Sequence, residues 1–368
     1  VRFDWYDQPD RPIYNPNFTA RNGFSNQKTI DGLHILMPRV SAEWTPRERL
    51  KINGGFGLFA GGIPDVLTGT PFYNTGYATT QVVIQRNAAG AFTETTGTGG
   101  FTQAIGAAAL NNLTGDATFG YQIPSVVQQL QQGTLPGATA IPALGAVIAL
   151  SPTFEIPGQW KGFLSINLDL GKGWALSGDY VHSQAHNDLT YSDYRAQPLV
   201  INGVQQFLPD GRIRYDGLSA AVPGKTSTNL GANNDLVATN TDKGSSWTGG
   251  LTVSKRWDWG VDMAFGLARQ RMSDVSPGAY FGTTSASLYN TVPAYGDPNH
   301  DYLDRSVYEI RNRATFEPSF HKAFFGDNET RVTLFAERQD GRPFGFTMQD
   351  SAAGRGPVFG VTKTAQAL

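Results

Sequence analysis

The chain has 368 residues, a net charge of −2, no cysteine, and charged side chains at only 16 per cent. Those values exclude disulfides and thiolate metal sites, and they supply no basic surface for nucleic acid. With 43 glycines and 12 per cent aromatic residues, the composition suits an all-β chain with long loops. No apolar run reaches the roughly eighteen residues of a membrane-crossing helix, which leaves strand-built membrane proteins open.

Val1–Tyr6 alternates and reads as the end of a strand; a loop rich in Pro, Asn and Gly follows to Gly32. The chain opens without Met or a signal-peptide pattern and closes at TKTAQAL, so both ends read as cut from something longer. In the first hairpin Val40, Ala42 and Trp44 oppose Ser41 and Glu43. After the turn Pro46–Arg49, Leu50, Ile52, Phe56 and Leu58 oppose Lys51 and Asn53. The stretch 61–157 is nearly uncharged, with a strand expected at Ala78–Gln85 and a short helix at Ser125–Gln132.

The second hairpin sets Trp160, Leu164, Ile166, Leu168 and Leu170 against Lys161, Ser165, Asn167 and Asp169. It turns at Gly171–Gly173 and returns as Trp174, Leu176 and Tyr180 against Ser177 and Asp179. After a second long loop, Trp247, Leu251 and Val253 lead to a turn around Arg256–Gly260. Val261, Met263, Phe265 and Leu267 come back. A third long loop, 273–306, precedes the last hairpin. There Ala314, Phe316, Pro318 and Phe320 oppose Arg313, Thr315, Glu317 and Ser319, with the turn expected at His321–Glu329. Pro318 falls within the strand, where it gives no ladder donor and marks an edge or bulge.

The repeat is strand, short turn, strand, long loop, four times over. Short turns at one end and long loops at the other describe an antiparallel transmembrane β-barrel. Trp44, Trp160, Trp174, Trp247, Trp257 and Trp259 are read as an aromatic girdle close to the turns. A secreted β-sandwich or solenoid is the alternative, with the apolar faces meeting across a core. On the barrel reading Asp169, Asp179, Asp262, Arg313, Glu317 and Glu337, with Arg311 and Arg338, point into a wet lumen.

Several segments carry a family resemblance: MPRVSAEWTPRERLKINGGFGLFAGGIPDV (37–66), WKGFLSINLDLGKGWALSGDYVHSQ (160–184), PDGRIRY (209–215) and YEIRNRATFEPSFHKAFFGDNETRVTLFAERQDGRPFGF (308–346). Together they resemble the barrel of TonB-dependent outer-membrane receptors, in the Oar-like group with a carboxypeptidase-regulatory-like domain at its N-terminus. The resemblance implies a barrel of about 22 strands, of which this chain supplies eight or nine. It also implies a plug domain, a signal peptide and a closing C-terminal strand outside this chain. The implied setting is the outer membrane of a Gram-negative cell. The implied partners are membrane lipid, the plug, the TonB complex and a scarce solute such as a siderophore, carbohydrate or peptide. A passive porin-like or adhesion barrel without energy coupling is the second reading.

Substrate contacts are expected from Tyr73, Tyr77, Tyr191, Tyr194, Tyr289 and Tyr295 in the long loops. No nucleophile elbow, zinc-protease or phosphate-loop motif occurs, so no catalytic role and no cofactor are expected. His182, His186 and Asp188, and the acids Asp297, Asp301 and Asp304, are read as solvated polar groups rather than metal ligands.

Overall fold

The computed structural model describes residues 1–61, 65–76, 83–86, 92–95, 145–196, 198, 200–207, 211, 213, 235–275, 289, 297, 299–344, 347–348 and 366–367. The fold is all-β, and its pairings are antiparallel except for one parallel pair between Val147–Leu150 and Asp235–Thr241. In chain order, β1 (Arg2–Trp5) and β2 (His34–Met37) form a hairpin, and β3 (Arg39–Arg47) and β4 (Leu50–Phe59) a second. Then come β5 (Val147–Leu150), β6 (Gly158–Gly171), β7 (Trp174–His186), β8 (Asp188–Asp193) and β9 (Asp235–Thr241). The longer strands continue as β10 (Ser245–Trp257), β11 (Val261–Asp274), β12 (Asn312–Phe325), β13 (Asn328–Thr333) and β14 (Ala336–Gln339). Two-residue strands pair Val200–Ile201 with Val204–Gln205, Thr347–Met348 with Gln366–Ala367, and Asp304–Arg305 with the end of β11. Helices α1 (Pro16–Asn22) and α2 (Asp65–Tyr73) lie in the long connections. Of the strand expected at Ala78–Gln85, only the end is described, as Val83–Arg86 paired with Phe92–Thr95. The helix expected at Ser125–Gln132 lies outside the described residues.

One large sheet forms a wall with the order β13-β12-β11-β10-β7-β6-β4-β3, and β14 also pairs with β12. Every neighbour in it is antiparallel and the strands follow chain order, so the wall is an antiparallel meander with both outer edges open among the described residues. Directly paired residues share a face. The register therefore places Val40, Phe56, Gly162 and His182 on one side, with Ile52, Ile166, Leu251, Leu267 and Ala314. That side is apolar over most of its length, and Val40, Phe56, Leu164, Ile166, Leu251, Phe265, Leu267 and Phe316 are exposed on it. A contiguous exposed apolar face of this kind marks an interaction or membrane surface.

The strands differ from expectation at two places. β12 continues through His321 to Phe325, so the last turn is only Gly326–Asp327 rather than His321–Glu329, with a bulge between Ala323 and Phe325. Pro318 pairs with Met263 inside β12, and its carbonyl accepts from Leu334. Its nitrogen faces that same neighbour with no hydrogen to give, and there the partner strand breaks into β13 and β14.

The short turns are packed against one another through glycines with positive φ. Gly173 (φ 76°) accepts from the Arg256 amide, and Gly260 (φ 97°) accepts from the His321 amide at 2.7 Å. A Cβ at Gly260 would collide with the His321 carbonyl oxygen. Gly260→Ala is therefore expected to destabilise the wall by roughly 2–4 kcal/mol, combining the φ penalty and the forced shift. A thermal midpoint in detergent that does not fall would refute this.

Candidate functional site

The apolar face is bounded by two aromatic belts rather than one. β6 and β10 run from the loop end to the turn end, so Trp160 and Trp247 near their starts sit at the loop end. This corrects the single girdle near the turns. Trp160 stacks on Phe56 at 5.1 Å and Trp247 on Tyr180 at 6.4 Å. At the turn end Trp174, Trp257 and Trp259 neighbour one another, and the Lys255 ammonium lies 5.4 Å from the Trp174 and Trp257 rings. Trp44 completes that belt on β3.

The belts run diagonally, and the register measures their slope. Trp44 shares a row with Ile52, Ile166, Gly178 and Leu251. Relative to that row Trp174 lies four residues nearer the turns, three strands away, and Trp257 six residues nearer, four strands away. At the loop end Trp160 is six residues above the row on β6 and Trp247 four above it on β10. With ~3.3 Å per residue and ~4.8 Å between strands, both diagonals slope at about 35–45° to the rows. That is the tilt of strands in a membrane barrel, where an apolar band about 25 Å tall lies between aromatic girdles. From Trp247 to Trp257 along β10 is ~33 Å, or ~25 Å along the normal at this tilt.

The opposite face is polar. Asp169, Asp179, Asp262, Arg313, Glu317 and Glu337 all fall on it. Arg338 does not: it pairs with Ala314, which pairs with Leu267, and so stands on the apolar face. Two rows of small residues make concavities there. Asp169, Ala175, Ser254, Ala264 and Glu317 form one row, lining a hollow of about 400 Å³ with Arg256 and Arg331. Asp179, Gly250, Ala268 and Arg313 form another, lining about 680 Å³. Arg313 pairs with Glu337 at 2.9 Å, and Asp262 meets Arg256 and His321 at 3.4 and 3.5 Å. Exposed Phe163 and Val181, paired with each other, are apolar exceptions on this face.

Beyond the loop end, segments far apart in sequence fold into one module. β9 is central, antiparallel to β8 and parallel to β5. Phe18, Val147, Ala149 and Val237 pack on one side of this sheet; Ile148, Leu150, Phe154, Leu236, Ala238, Tyr191 and Tyr289 fill the other. Helix α1 forms because Asn15 caps it, accepting from the Phe18 amide at 2.9 Å, and Pro16 fixes its first turn. Gly23 (φ 80°) closes it.

Arg21 of α1 grips Asp235 of β9 through two bonds of 2.8 and 2.9 Å, and Arg195 joins the same carboxylate at 2.8 Å. All three side chains are buried. Asp193 lies beside them, its Oδ1 accepting from the Arg195 and Asp235 amides at 3.0 Å each. Burial pushes the Asp193 carboxyl up to about 6 against the pull of those amides, with the Asp235 charge adding to the rise. A folded value above the unfolded ~3.9 means that its stabilisation is full below about pH 4 and lost as pH rises through about 6. Amide-exchange protection of β8 and β9, corrected for intrinsic rates, is expected to weaken over that window. Asp193→Asn is expected to abolish the dependence; an unchanged pH profile in the variant would refute the assignment.

The six tyrosines have different fates. Tyr289 (1% exposed) and Tyr191 (7%) belong to the module core, with the Tyr289 hydroxyl 3.3 Å from Asn299. Tyr73 (73%) ends α2 on the surface, and Tyr194 is exposed with its ring edge-on to Phe24 at 5.9 Å. Tyr77 and Tyr295 lie outside the described residues. Asp301 accepts from Thr190, and Asp297 from the Asn299 amide, so that segment straps the module. Among the described residues no group of three acids or histidines is arranged to hold a metal.

The fold and these faces define a strand-built wall with one apolar and one polar face, capped by a folded loop module. No family model matches the chain, and no curated protein matches it. Among solved structures, the outer membrane transporter YddB from Escherichia coli is similar at 11% identity and a TM-score of 0.39, over 88% of this chain and 31% of that one. The toluene transporter TodX of Pseudomonas putida is similar at 9% identity and a TM-score of 0.25, over 83% of this chain and 55% of that one. The chain thus spans less than two thirds of the length of either.

Proposed function

We propose that this chain is part of the wall and outer surface of an outer-membrane transporter of the TonB-dependent receptor type, Oar-like, taking up a scarce solute. The observation that carries the membrane reading is the pair of parallel aromatic belts, whose slope and spacing fit a bilayer. The apolar face meets lipid, and the polar face, with its small-residue hollows, lines the lumen and receives the plug. The loop module, with Tyr73 and Tyr194 exposed, meets solute first. Energy coupling rests on the sequence resemblance.

The test is to express the full-length protein, fractionate the cells, and record its conductance in planar bilayers. A receptor closed by its plug is expected in the outer-membrane fraction with near-zero steady current. A stable open current would favour the passive-porin reading, and recovery in the soluble fraction would sink both.

A further inference from the structure

On β11 the apolar face runs Val261, Met263, Phe265, Leu267 and then, still on that face, Arg269 and Arg271. Arg271 pairs with Trp247 and Arg269 with Gly249. The loop-end belt set by Trp160 and Trp247 falls about one residue per strand, a slope within the tilt range of barrel strands. Continued, it passes between Arg269 and Arg271 on β11 and within about one residue of Arg338 on β14, given the Arg338–Ala314–Leu267 row. The upper belt is therefore aromatic across β6 to β10 and basic on β11 and β14, with Asn312 between them on β12.

These three arginines are exposed. Their neighbours are engaged elsewhere, Arg305 and Arg311 with Glu309 and Arg313 with Glu337. Among the described residues Arg269, Arg271 and Arg338 have no ion-pair partner. Asp340, on the same face, accepts from Asn312 at 2.7 Å. An arginine facing hydrocarbon is costly at mid-depth but cheap at headgroup level, and its planar fork suits phosphate oxygens. Phe265 and Leu267 just below offer apolar contact for an acyl chain.

We propose that Arg269, Arg271 and Arg338 form a binding site on the outward face for the phosphate groups of membrane lipid, at the loop-side headgroup level. This rests on the transmembrane reading above. Each cation near an anionic surface contributes about a fivefold factor, so three are worth on the order of a hundredfold at low salt.

The test places the full-length protein in phosphatidylcholine vesicles with rising fractions of brominated phosphatidylglycerol. Quenching of Trp247, beside Arg271, is read as the difference from Trp247→Phe. Wild type is expected to enrich phosphatidylglycerol near Trp247 at least tenfold over the bulk. The preference should vanish in the Arg269→Gln/Arg271→Gln/Arg338→Gln variant and fade in high salt. It should persist in the triple Lys variant, which keeps the charge and guards against misfolding of the Gln form. Equal quenching in wild type and the Gln variant would overturn the proposal, as would displacement of the lipid by millimolar inorganic phosphate, which marks a free-anion site. Failure of the wild-type protein to enter vesicles at all would overturn the transmembrane reading itself.

Discussion

Leu251→Arg is expected to cost roughly 2–4 kcal/mol of stability in a bilayer, while Thr252→Arg, one residue along, is expected to cost little. Leu251 stands on the apolar face midway between Trp247 and Trp257, in a row with Gly178 and Leu267. An arginine there faces the midplane of the lipid, too deep to reach either belt without distortion. Thr252, between Ser177 and Gly266, faces the polar side, where a guanidinium stays hydrated. The pair separates membrane from water with unusual sharpness, because Leu251 is already 48% exposed. In water, replacing so exposed a side chain costs no more than about 0.5 kcal/mol. Denaturant titration of vesicle-inserted protein, followed by heat-modifiable gel mobility, measures both variants. Equal stability of the two would remove the lipid-facing assignment.

The wall was legible in the sequence because its physics is local. Strands with one apolar and one polar face alternate residue by residue, and the paired register follows from that alternation plus the short turns. The six polar-face residues were read from side-chain parity alone. Arg338 is the exception because its charge suggests the lumen while its parity does not: β13 and β14 keep one register across Leu334–Phe335, and the residue after polar-face Glu337 must face the other way. The second aromatic belt was missed for a different reason: nearness to a turn depends on which way a strand runs. Trp160 and Trp247 begin descending strands and so lie at their far ends.

The loop module was not legible, although its pieces carry signals. VIAL (147–150) is buried at all four positions, since the sheet is covered on both faces, so it shows no alternation. Helix α1 had a readable start in Asn15–Pro16 and a readable end in Gly23. Its seven residues are too short for a helical period to stand out in a loop of Pro, Asn and Gly. What makes these pieces a module is contact between residues more than 200 positions apart, as in Arg21 with Asp235. No local pattern carries that. The same contacts bury Tyr191 and Tyr289, two tyrosines that composition alone would place at a loop surface.

Asp235→Ala is expected to open the loop module and leave the wall intact. The carboxylate answers two buried guanidinium groups, Arg21 and Arg195, and also accepts from Asn22 at 3.0 Å. Burying three charges costs several kcal/mol per ion, which their mutual attraction roughly offsets while the set is complete. Removing only the acid leaves two cations in a dry site, a loss of about 3–5 kcal/mol. That loss falls on the α1–β9 contact, because the wall strands reach their own partners through a separate hydrogen-bond ladder. Proteolysis within residues 6–33 and amide exchange of β5 and β9 should therefore accelerate together, with tryptophan emission and gel mobility of the wall unchanged. Replacing Arg21, Arg195 and Asp235 together by apolar residues of similar volume should recover most of the protection, since no lone charge then remains buried. If Asp235→Ala leaves exchange at β9 as slow as in wild type, the ion cluster is not what holds the module closed. If the wall unfolds with it, the module and the wall are one cooperative unit.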